Sequence, residues 1–270
     1  MKKTLVIGVA TAALCMSAAP ALASDPTVIN HQGVGSASVS KNSIQAFIKG
    51  WRATGWIETD IRLTLETPTE KSRIIVSHNA NIATETNAPW PTIVEETPWS
   101  VIRQYHLEDG SRVATLERVI RAADRHGDGG ALLETKGLGW TKAKFHYIQK
   151  LAVQHGLVKK IRPYIARQRD IFVARQVGAA ARLKLVWKLS DADPGLPSTE
   201  TLNKLDIFGL SVRWGSITHH SVRRVHNAGW HFYGKLAGHT WKWRKACDFN
   251  IDGFLSNNGP KARDWMERNC

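Results

Sequence analysis

Short apolar runs rich in β-branched residues alternate with amphipathic stretches along most of this 270-residue chain. The runs have the composition of buried strands, whereas the stretches between them repeat apolar residues at the spacing of one helix face. The candidate strands are Thr27–His31, Trp56–Leu63, Arg73–His78, Ala131–Thr135, Ile161–Ile165, Leu183–Leu189, Ile207–Val212, Trp230–Tyr233 and Ile251–Leu255. Repeated strand–helix units over about 250 residues predict the α/β class and a single (β/α)8 TIM barrel.

Three of the amphipathic stretches have clear ends. Asn42–Thr54, Thr115–His126 and Thr141–His155 each place apolar side chains on one face and stop at a glycine. Glycine is common just past a helix C-terminus because it adopts the left-handed conformation without strain. These three stretches are therefore predicted helices.

Two features do not fit a plain barrel. Nine candidate strands exceed eight by one, and the gap between Leu63 and Arg73 is too short for a parallel crossover. Either these two runs form a local irregularity, or one of the nine is not a barrel strand. Residues 87–112, which are rich in Pro and Trp, fit no strand–helix unit and are predicted to form a small inserted cap beside the active face.

Residues 1–23 are read as a secretory signal peptide. Two lysines precede an apolar segment, and Ala21-Leu22-Ala23 fits a small-x-small cleavage rule. The mature domain would then span residues 24–270 and be secreted, to the periplasm or the exterior. An uncleaved anchor is the alternative. No later apolar run approaches the roughly 20 residues that a transmembrane helix needs.

Cleavage of the leader would remove Cys15 and leave Cys247 and Cys270. In an oxidising compartment two remaining cysteines are most simply one disulfide. Two free thiols are the alternative.

The formal charge of +14 is unevenly distributed. Residues 24–135 hold 11 basic and 14 acidic side chains, whereas residues 136–270 hold 24 basic and 9 acidic. The acidic half could supply metal-binding carboxylates and the basic half could attract an anion, although a merely solvated basic face is the simpler alternative. No nucleic-acid-binding motif is found, so no obligate nucleic-acid partner is expected.

Polar side chains recur at the ends of the predicted strands, where a barrel of this kind collects its active site. Glu58 and Asp60 point to the same face of one strand, and buried carboxylates of this kind need a neutralising cation. With Glu134 they form a set of oxygen ligands suited to Ca²⁺ or Mg²⁺. His31 and His78 could act as general base and general acid. Each residue also has an ordinary structural interpretation. What favours a catalytic site is that all of them occur together, each at the end of a predicted strand.

The same set resembles the glycerophosphodiester phosphodiesterases, metal-dependent barrels of the phosphatidylinositol-phospholipase-C-like superfamily. The matching motifs are His31-Gln32-Gly33, Ser40-Lys41-Asn42-Ser43, Glu58-Thr59-Asp60, Ser77-His78-Asn79, Glu134-Thr135-Lys136 and the closing segment Asp252–Pro260. The resemblance implies a phosphoric diester hydrolase that forms glycerol 3-phosphate and an alcohol, and that acts on a small-molecule phosphodiester or on a lipid or polymer headgroup.

By that resemblance Glu58, Asp60 and Glu134 would bind the divalent cation. His31 and His78 would be the catalytic acid–base pair, and Gln32 and Lys136 would contact the substrate phosphate.

The chain departs from the family pattern at three positions. Gln32 replaces an Arg that would contact phosphate, Lys41 replaces a Glu and Asn79 replaces an Asp. A neutral Gln forms weaker contacts with an anion than Arg does. Two alternatives therefore remain open: a phospholipase D-like lipid headgroup hydrolase, and a non-catalytic binder of anionic envelope polymer.

Overall fold

The structure of the protein is a computed structural model, and it describes residues 25–127, 129–176, 183–190, 195–205 and 207–270. The predicted signal peptide lies outside these residues. Nine strands belong to one sheet. They are β1 (Thr27–His31), β2 (Trp56–Leu63), β3 (Ile74–Val76), β4 (Gly130–Thr135), β5 (Ile161–Ile165), β6 (Val186–Lys188), β7 (Gly209–Val212), β8 (His231–Gly234) and β9 (Gly253–Ser256).

Eight of these strands form a closed parallel barrel. Going round it, β1 pairs with β2, then β4 to β9 follow in chain order, and β9 pairs again with β1. The predicted (β/α)8 TIM barrel is therefore confirmed. β3 is the ninth strand, and it pairs antiparallel with β2, with Ile61 opposite Val76. The third candidate run is thus one arm of a hairpin, for which the short connection is long enough.

Helices follow the barrel strands and cover the outside of the barrel. The described α-helices are α1 (Ile44–Thr54), α2 (Trp99–Ile102), α3 (Leu116–Arg125), α4 (Lys142–Gln154), α5 (Gln168–Arg175), α6 (Thr199–Leu205), α7 (His219–Asn227), α8 (Thr240–Asp248) and α9 (Gly259–Asn269). Short 3₁₀ helices span Ile82–Thr84, Val94–Glu96 and Trp214–Ser216. The three predicted helices correspond to α1, α3 and α4.

The apolar core has two layers. The larger layer lies between the strands and the surrounding helices, where Phe47 of α1 and Ile57 of β2 are fully buried. A smaller layer fills the barrel interior and consists of Ile29, Leu132, Tyr164, Val186, Tyr233 and Leu255. This interior packing fills the barrel below the carboxyl ends of the strands, and the carboxylates of β2 and β4 collect above it at the mouth.

The predicted cap, residues 87–112, contains one 3₁₀ helix and α2. It has its own small core, in which Val94 and Ile102 pack with Ile75 of the β3 arm. Its Glu95 side chain also contacts Arg62 of β2. The segment is therefore attached to the hairpin beside the barrel mouth.

The predicted disulfide is confirmed: Cys247 in α8 is bonded to Cys270, which follows α9. The bond joins the C-terminal end of α9 to α8. No helix in the described ranges is both long and apolar enough to cross a membrane.

Candidate active site

The three predicted metal ligands lie together at the barrel mouth. Glu58 and Asp60 project from the same face of β2, and Glu134 of β4 lies opposite Asp60 in the parallel register. One carboxylate oxygen from each residue falls within 4.8 Å of the others. All three residues are buried, with exposed fractions of 0%, 1% and 6%. Three carboxylates so close together and out of water repel one another unless cations neutralise them.

Glu58 is the least compensated of the three. Within the described part of the chain, both of its buried carboxylate oxygens lack a hydrogen-bond partner. Burial, and then the neighbouring carboxylates Asp60 and Glu134, raise the pKa of Glu58 well above its ordinary value. A buried carboxylate without partners is unfavourable, and oxygen-only ligands are those that Ca²⁺ and Mg²⁺ prefer. The residues present therefore fit a divalent cation.

Two lysine ammonium groups contact this acidic cluster. Lys136 Nζ lies 2.7 Å from Glu134 Oε1 and 3.2 Å from Asp60 Oδ1. Lys188 Nζ lies 2.6 and 2.7 Å from the two Glu134 oxygens. Burial alone would lower the pKa of Lys136, but the Glu134 and Asp60 carboxylates outweigh it and the pKa is raised. Lys136 is thus held as a cation beside the cluster.

His31 ends β1 at the edge of the cluster. Its Nδ1 lies 2.8 Å from Asn257 Oδ1, the same oxygen to which Lys41 Nζ donates at 3.3 Å. Because that oxygen is an acceptor, Nδ1 carries the hydrogen and Nε2 is the basic nitrogen of the neutral ring. Nε2 lies 3.8 Å from Glu58 Oε2. Burial lowers the pKa of His31, which favours the neutral ring.

His78 follows β3 and is held in a comparable way. Its Nδ1 lies 3.0 Å from Asn79 Oδ1, while the Asn79 amide nitrogen donates to Thr84 Oγ1 at 2.8 Å. The backbone N–H groups of His78 and Asn79 donate to the Glu85 carboxylate at 3.2 and 2.6 Å. As in His31, Nδ1 of His78 is held by an asparagine oxygen and Nε2 is the other ring nitrogen.

Gln32 lies beside the acidic cluster but brings no charge to it. Its amide Nε2 donates to Asp60 Oδ2 at 3.1 Å, and its backbone φ is 59°, in the left-handed region. The next residue, Gly33, also has a positive φ, and a Cβ there would lie 2.7 Å from the Ala46 backbone. Gln32 and His78 line one cavity of about 540 Å³ at the barrel mouth.

Comparison with known proteins identifies the fold. No protein-family model matches the sequence, and no curated protein matches it. Among solved structures, a glycerophosphodiester phosphodiesterase from Parabacteroides distasonis superposes with a TM-score of 0.75 at 14% identity, over 90% of this chain and 98% of that one. This chain has the glycerophosphodiester phosphodiesterase fold.

Two further solved structures with the glycerophosphodiester phosphodiesterase fold are also similar to this chain. A phosphodiesterase from Oleispira antarctica, in complex with the product sn-glycerol-3-phosphate, has a TM-score of 0.75 at 18% identity, over 90% of this chain and 97% of that one. A glycerophosphodiester phosphodiesterase from Agrobacterium tumefaciens has a TM-score of 0.66 at 15% identity, over 87% of this chain and 97% of that one. These likenesses confirm the architecture that the sequence motifs predicted.

Three residues of the site were not predicted as functional. Lys188 is a charged residue in an otherwise apolar strand, two positions after the inward-facing Val186, which is a signal for a side chain in the barrel mouth. Asn257 lies in the closing motif segment, but no spacing within that segment pairs it with His31. Arg62 donates from Nε and Nη2 to the His78 carbonyl, a contact that no local spacing reveals.

Proposed function

We propose that the protein is a metal-dependent phosphodiesterase that hydrolyses glycerophosphodiesters to glycerol 3-phosphate and an alcohol. The observation that carries the proposal is the buried cluster of Glu58, Asp60 and Glu134 at the barrel mouth, with His31 Nε2 3.8 Å from Glu58. The Oleispira antarctica structure with sn-glycerol-3-phosphate supports this substrate class.

Glu58, Asp60 and Glu134 are the residues that would hold Ca²⁺ or Mg²⁺. A divalent cation bound there supplies positive charge that neutralises the phosphodiester and lowers the pKa of the attacking hydroxyl or water. Neither carboxylate oxygen of Glu58 has a hydrogen-bond partner within the described residues, which is the clearest indication that this chain's residues are arranged for such an ion.

His31 and His78 are proposed to move the protons. In each ring Nδ1 is held by an asparagine oxygen, which leaves Nε2 as the nitrogen for proton transfer. One histidine accepts the proton of the attacking hydroxyl as its oxygen bonds to phosphorus. The other protonates the leaving alkoxide as its bond to phosphorus breaks. If the attacker is the substrate's own hydroxyl, water then opens the cyclic phosphate with the two roles exchanged, and one water is consumed overall.

Lys136 and Gln32 are proposed to hold the phosphate. Lys136 offers a charged donor and Gln32 a neutral amide, and both already contact the acidic cluster. Charge-assisted hydrogen bonds to phosphate are stronger than neutral ones, so Lys136 is expected to contribute more to substrate affinity.

Export to the periplasm or the exterior is part of the proposal. The Cys247–Cys270 disulfide supports it, because disulfides persist mainly in oxidising compartments. Sequencing of the mature protein's N-terminus tests it: a start near Ser24 is expected, and an intact Met1 in the exported protein would contradict cleavage.

The activity is tested by hydrolysis of glycerophosphocholine with and without EDTA. Chelation is expected to abolish turnover, and His31→Ala and His78→Ala are each expected to lower kcat by about a hundredfold or more. His155→Ala is the matched control, because His155 pairs with Asp124 away from the site. Activity that survives both chelation and His31→Ala would overturn the proposal.

The same preparations separate the two alternatives. Release of headgroup from a choline lipid, with no cleavage of glycerophosphocholine, would identify a phospholipase D-like enzyme. Tight binding of a phosphodiester polymer without turnover under any divalent metal would identify a binding protein.

A further inference from the structure

We propose that Lys188 is a substrate-binding residue, which supplies from β6 the phosphate-contacting positive charge that Gln32 does not provide. This inference rests on the proposed phosphodiesterase function and assigns a residue that the sequence motifs do not contain.

The position of Lys188 suits this role. It ends β6, and its Nζ reaches both oxygens of Glu134 at 2.6 and 2.7 Å. A lysine ammonium has three N–H donors, so one donor remains for a substrate oxygen after both of these bonds form. The Lys188 side chain is 26% exposed whereas that of Glu134 is 7% exposed, so Lys188 is the more accessible of the two to a substrate from solvent.

Among the described residues, Lys188 is held beside Glu134 by contacts that bring no second carboxylate to its ammonium group. Its Nζ lies 5.5 Å from the centroid of the Tyr164 ring, and the Tyr164 hydroxyl is hydrogen-bonded to Ser211 Oγ at 2.8 Å. The aromatic ring attracts a cation through its face but provides no charged partner. Glu134 is therefore the carboxylate that the structure shows in contact with this ammonium group.

The balance of charge favours a phosphate contact. The cluster joins three carboxylates to two ammonium groups, those of Lys136 and Lys188. Added to this set, a divalent cation would leave about one net positive charge, which matches the single negative charge of a phosphodiester. Without Lys188 the same site would be neutral and would attract the substrate less.

The location also complements Gln32. Gln32 follows β1 and donates to Asp60, whereas Lys188 comes from β6 and contacts Glu134. The two side chains thus reach the acidic cluster from different strands. Gln32 carries no positive charge and Lys188 carries one. Both side chains lie at the barrel mouth, where the phosphate is proposed to bind.

A purely structural ion pair is the competing role for Lys188. If Lys188 only neutralised Glu134, its removal would change stability or metal affinity and leave phosphate affinity as it was. Binding of a product that does not turn over separates the two roles, because it reports on the phosphate contact without requiring catalysis.

The test measures the affinity of sn-glycerol 3-phosphate by calorimetry, in whichever of Ca²⁺ or Mg²⁺ supports hydrolysis by the wild-type protein. Lys188→Met is expected to weaken this affinity about ten- to hundredfold, the loss of one charge-assisted hydrogen bond. Affinity for the metal alone is expected not to weaken, because a competing cation is removed from Glu134. Lys188→Arg is expected to restore product affinity to within about fivefold.

Lys184→Met is the matched control, since it removes the same charge from the segment just before β6, where Lys184 lies over Phe208. It is expected to change product affinity less than twofold. If Lys188→Met does not unfold cooperatively, Lys188→Gln replaces it with the same expectation. Unchanged product affinity in a wild type-like fold would overturn the role of Lys188 alone. A wild-type protein that neither hydrolyses glycerophosphocholine nor binds the product would overturn the proposed function and this inference together.

Discussion

The backbone carbonyl of His78 accepts two hydrogen bonds from the Arg62 guanidinium, at 3.2 Å from Nε and 2.9 Å from Nη2. The remaining guanidinium nitrogen, Nη1, donates to Glu95 in the cap at 2.6 Å. Arg62 therefore joins a barrel strand, the loop of the proposed catalytic histidine and the inserted segment. We therefore expect Arg62 to act as a positioning residue, since it contacts His78 through the backbone.

Replacing Arg62 should misplace His78 without disturbing the metal ligands. Arg62→Met is expected to lower kcat about ten- to hundredfold, because small displacements of a catalytic group are costly. KM and metal affinity should stay within about threefold. Steady-state kinetics and metal titration check this, with Arg73→Met, which breaks an exposed pair with Glu117, as the control. Equal losses in the two variants would contradict the positioning role.

Glu58→Gln should separate stability from metal binding. The metal-free variant is expected to be at least as stable as the wild type, because it removes a buried carboxylate that accepts no hydrogen bond within the described residues. The wild type should gain about 2.7 kcal/mol of unfolding free energy at a metal concentration 100 times its Kd. The variant should lose this gain and its turnover. Thermal and chemical denaturation with and without metal measure the stability of the metal-free protein and its stabilisation by metal.

Glu267→Gln is the control for that experiment, because Glu267 forms an exposed pair with Arg263. It should keep the metal-dependent stabilisation. A Glu58→Gln variant that is stabilised by metal as strongly as the wild type would exclude Glu58 as a ligand.

Metal affinity should rise with pH. Burial and the neighbouring carboxylates raise the pKa of Glu58, so its protonated form persists at pH values where an ordinary Glu is ionised. A cation binds the ionised form, so binding must release this proton and becomes stronger as the pH increases. Calorimetry in two buffers of different ionisation enthalpy would measure the released protons. An affinity that is flat between pH 5 and pH 8 would contradict this expectation.

Asp252 should stabilise the fold away from the site. Its carboxylate accepts hydrogen bonds from His226, His231 and the Phe232 N–H at 2.8, 2.6 and 2.7 Å. Although burial acts in the opposite direction, these donors hold the pKa of Asp252 below its ordinary value. A depressed pKa contributes stability above the unfolded pKa of about 3.9, and this contribution is lost as the pH falls through the folded value.

Asp252→Asn is therefore expected to lower the unfolding free energy by about 1–3 kcal/mol at pH 7. The difference from the wild type should shrink below about pH 4, where Asp252 begins to be protonated in the unfolded chain. Urea denaturation at pH 7, 5 and 3 measures it. A difference in unfolding free energy that grows between pH 5 and pH 3 would contradict this expectation.

Loss of the disulfide should destabilise the protein without changing its chemistry. Cys247 and Cys270 are 23 residues apart, and a loop of this size corresponds to about 3 kcal/mol. The double variant Cys247→Ser, Cys270→Ser should unfold at correspondingly lower denaturant with kcat within about twofold. A reductant should have that effect on the wild type and none on the variant.

The local residue pattern was sufficient to predict the barrel strands and much of the acidic cluster. β-Branched runs predicted the parallel strands, because buried strands require apolar side chains on both faces. The spacing of Glu58 and Asp60 placed both on one face, because side chains alternate along a strand. The same pattern could not decide the role of the Arg73–His78 run, since short apolar strands look alike whether they pair parallel or antiparallel.

The amino-acid sequence by itself determined the alternation of strands and helices, the residues at the strand ends and the cysteines available for a disulfide. Only the tertiary structure decided that β3 is a hairpin arm, that Arg62 holds the His78 loop and that Lys188 shares Glu134 with Lys136. Lys188 and Glu134 are 54 positions apart, and their contact depends on how the barrel closes. Local spacing reflects interactions along one strand or helix, whereas such a contact depends on the register and packing of several strands together.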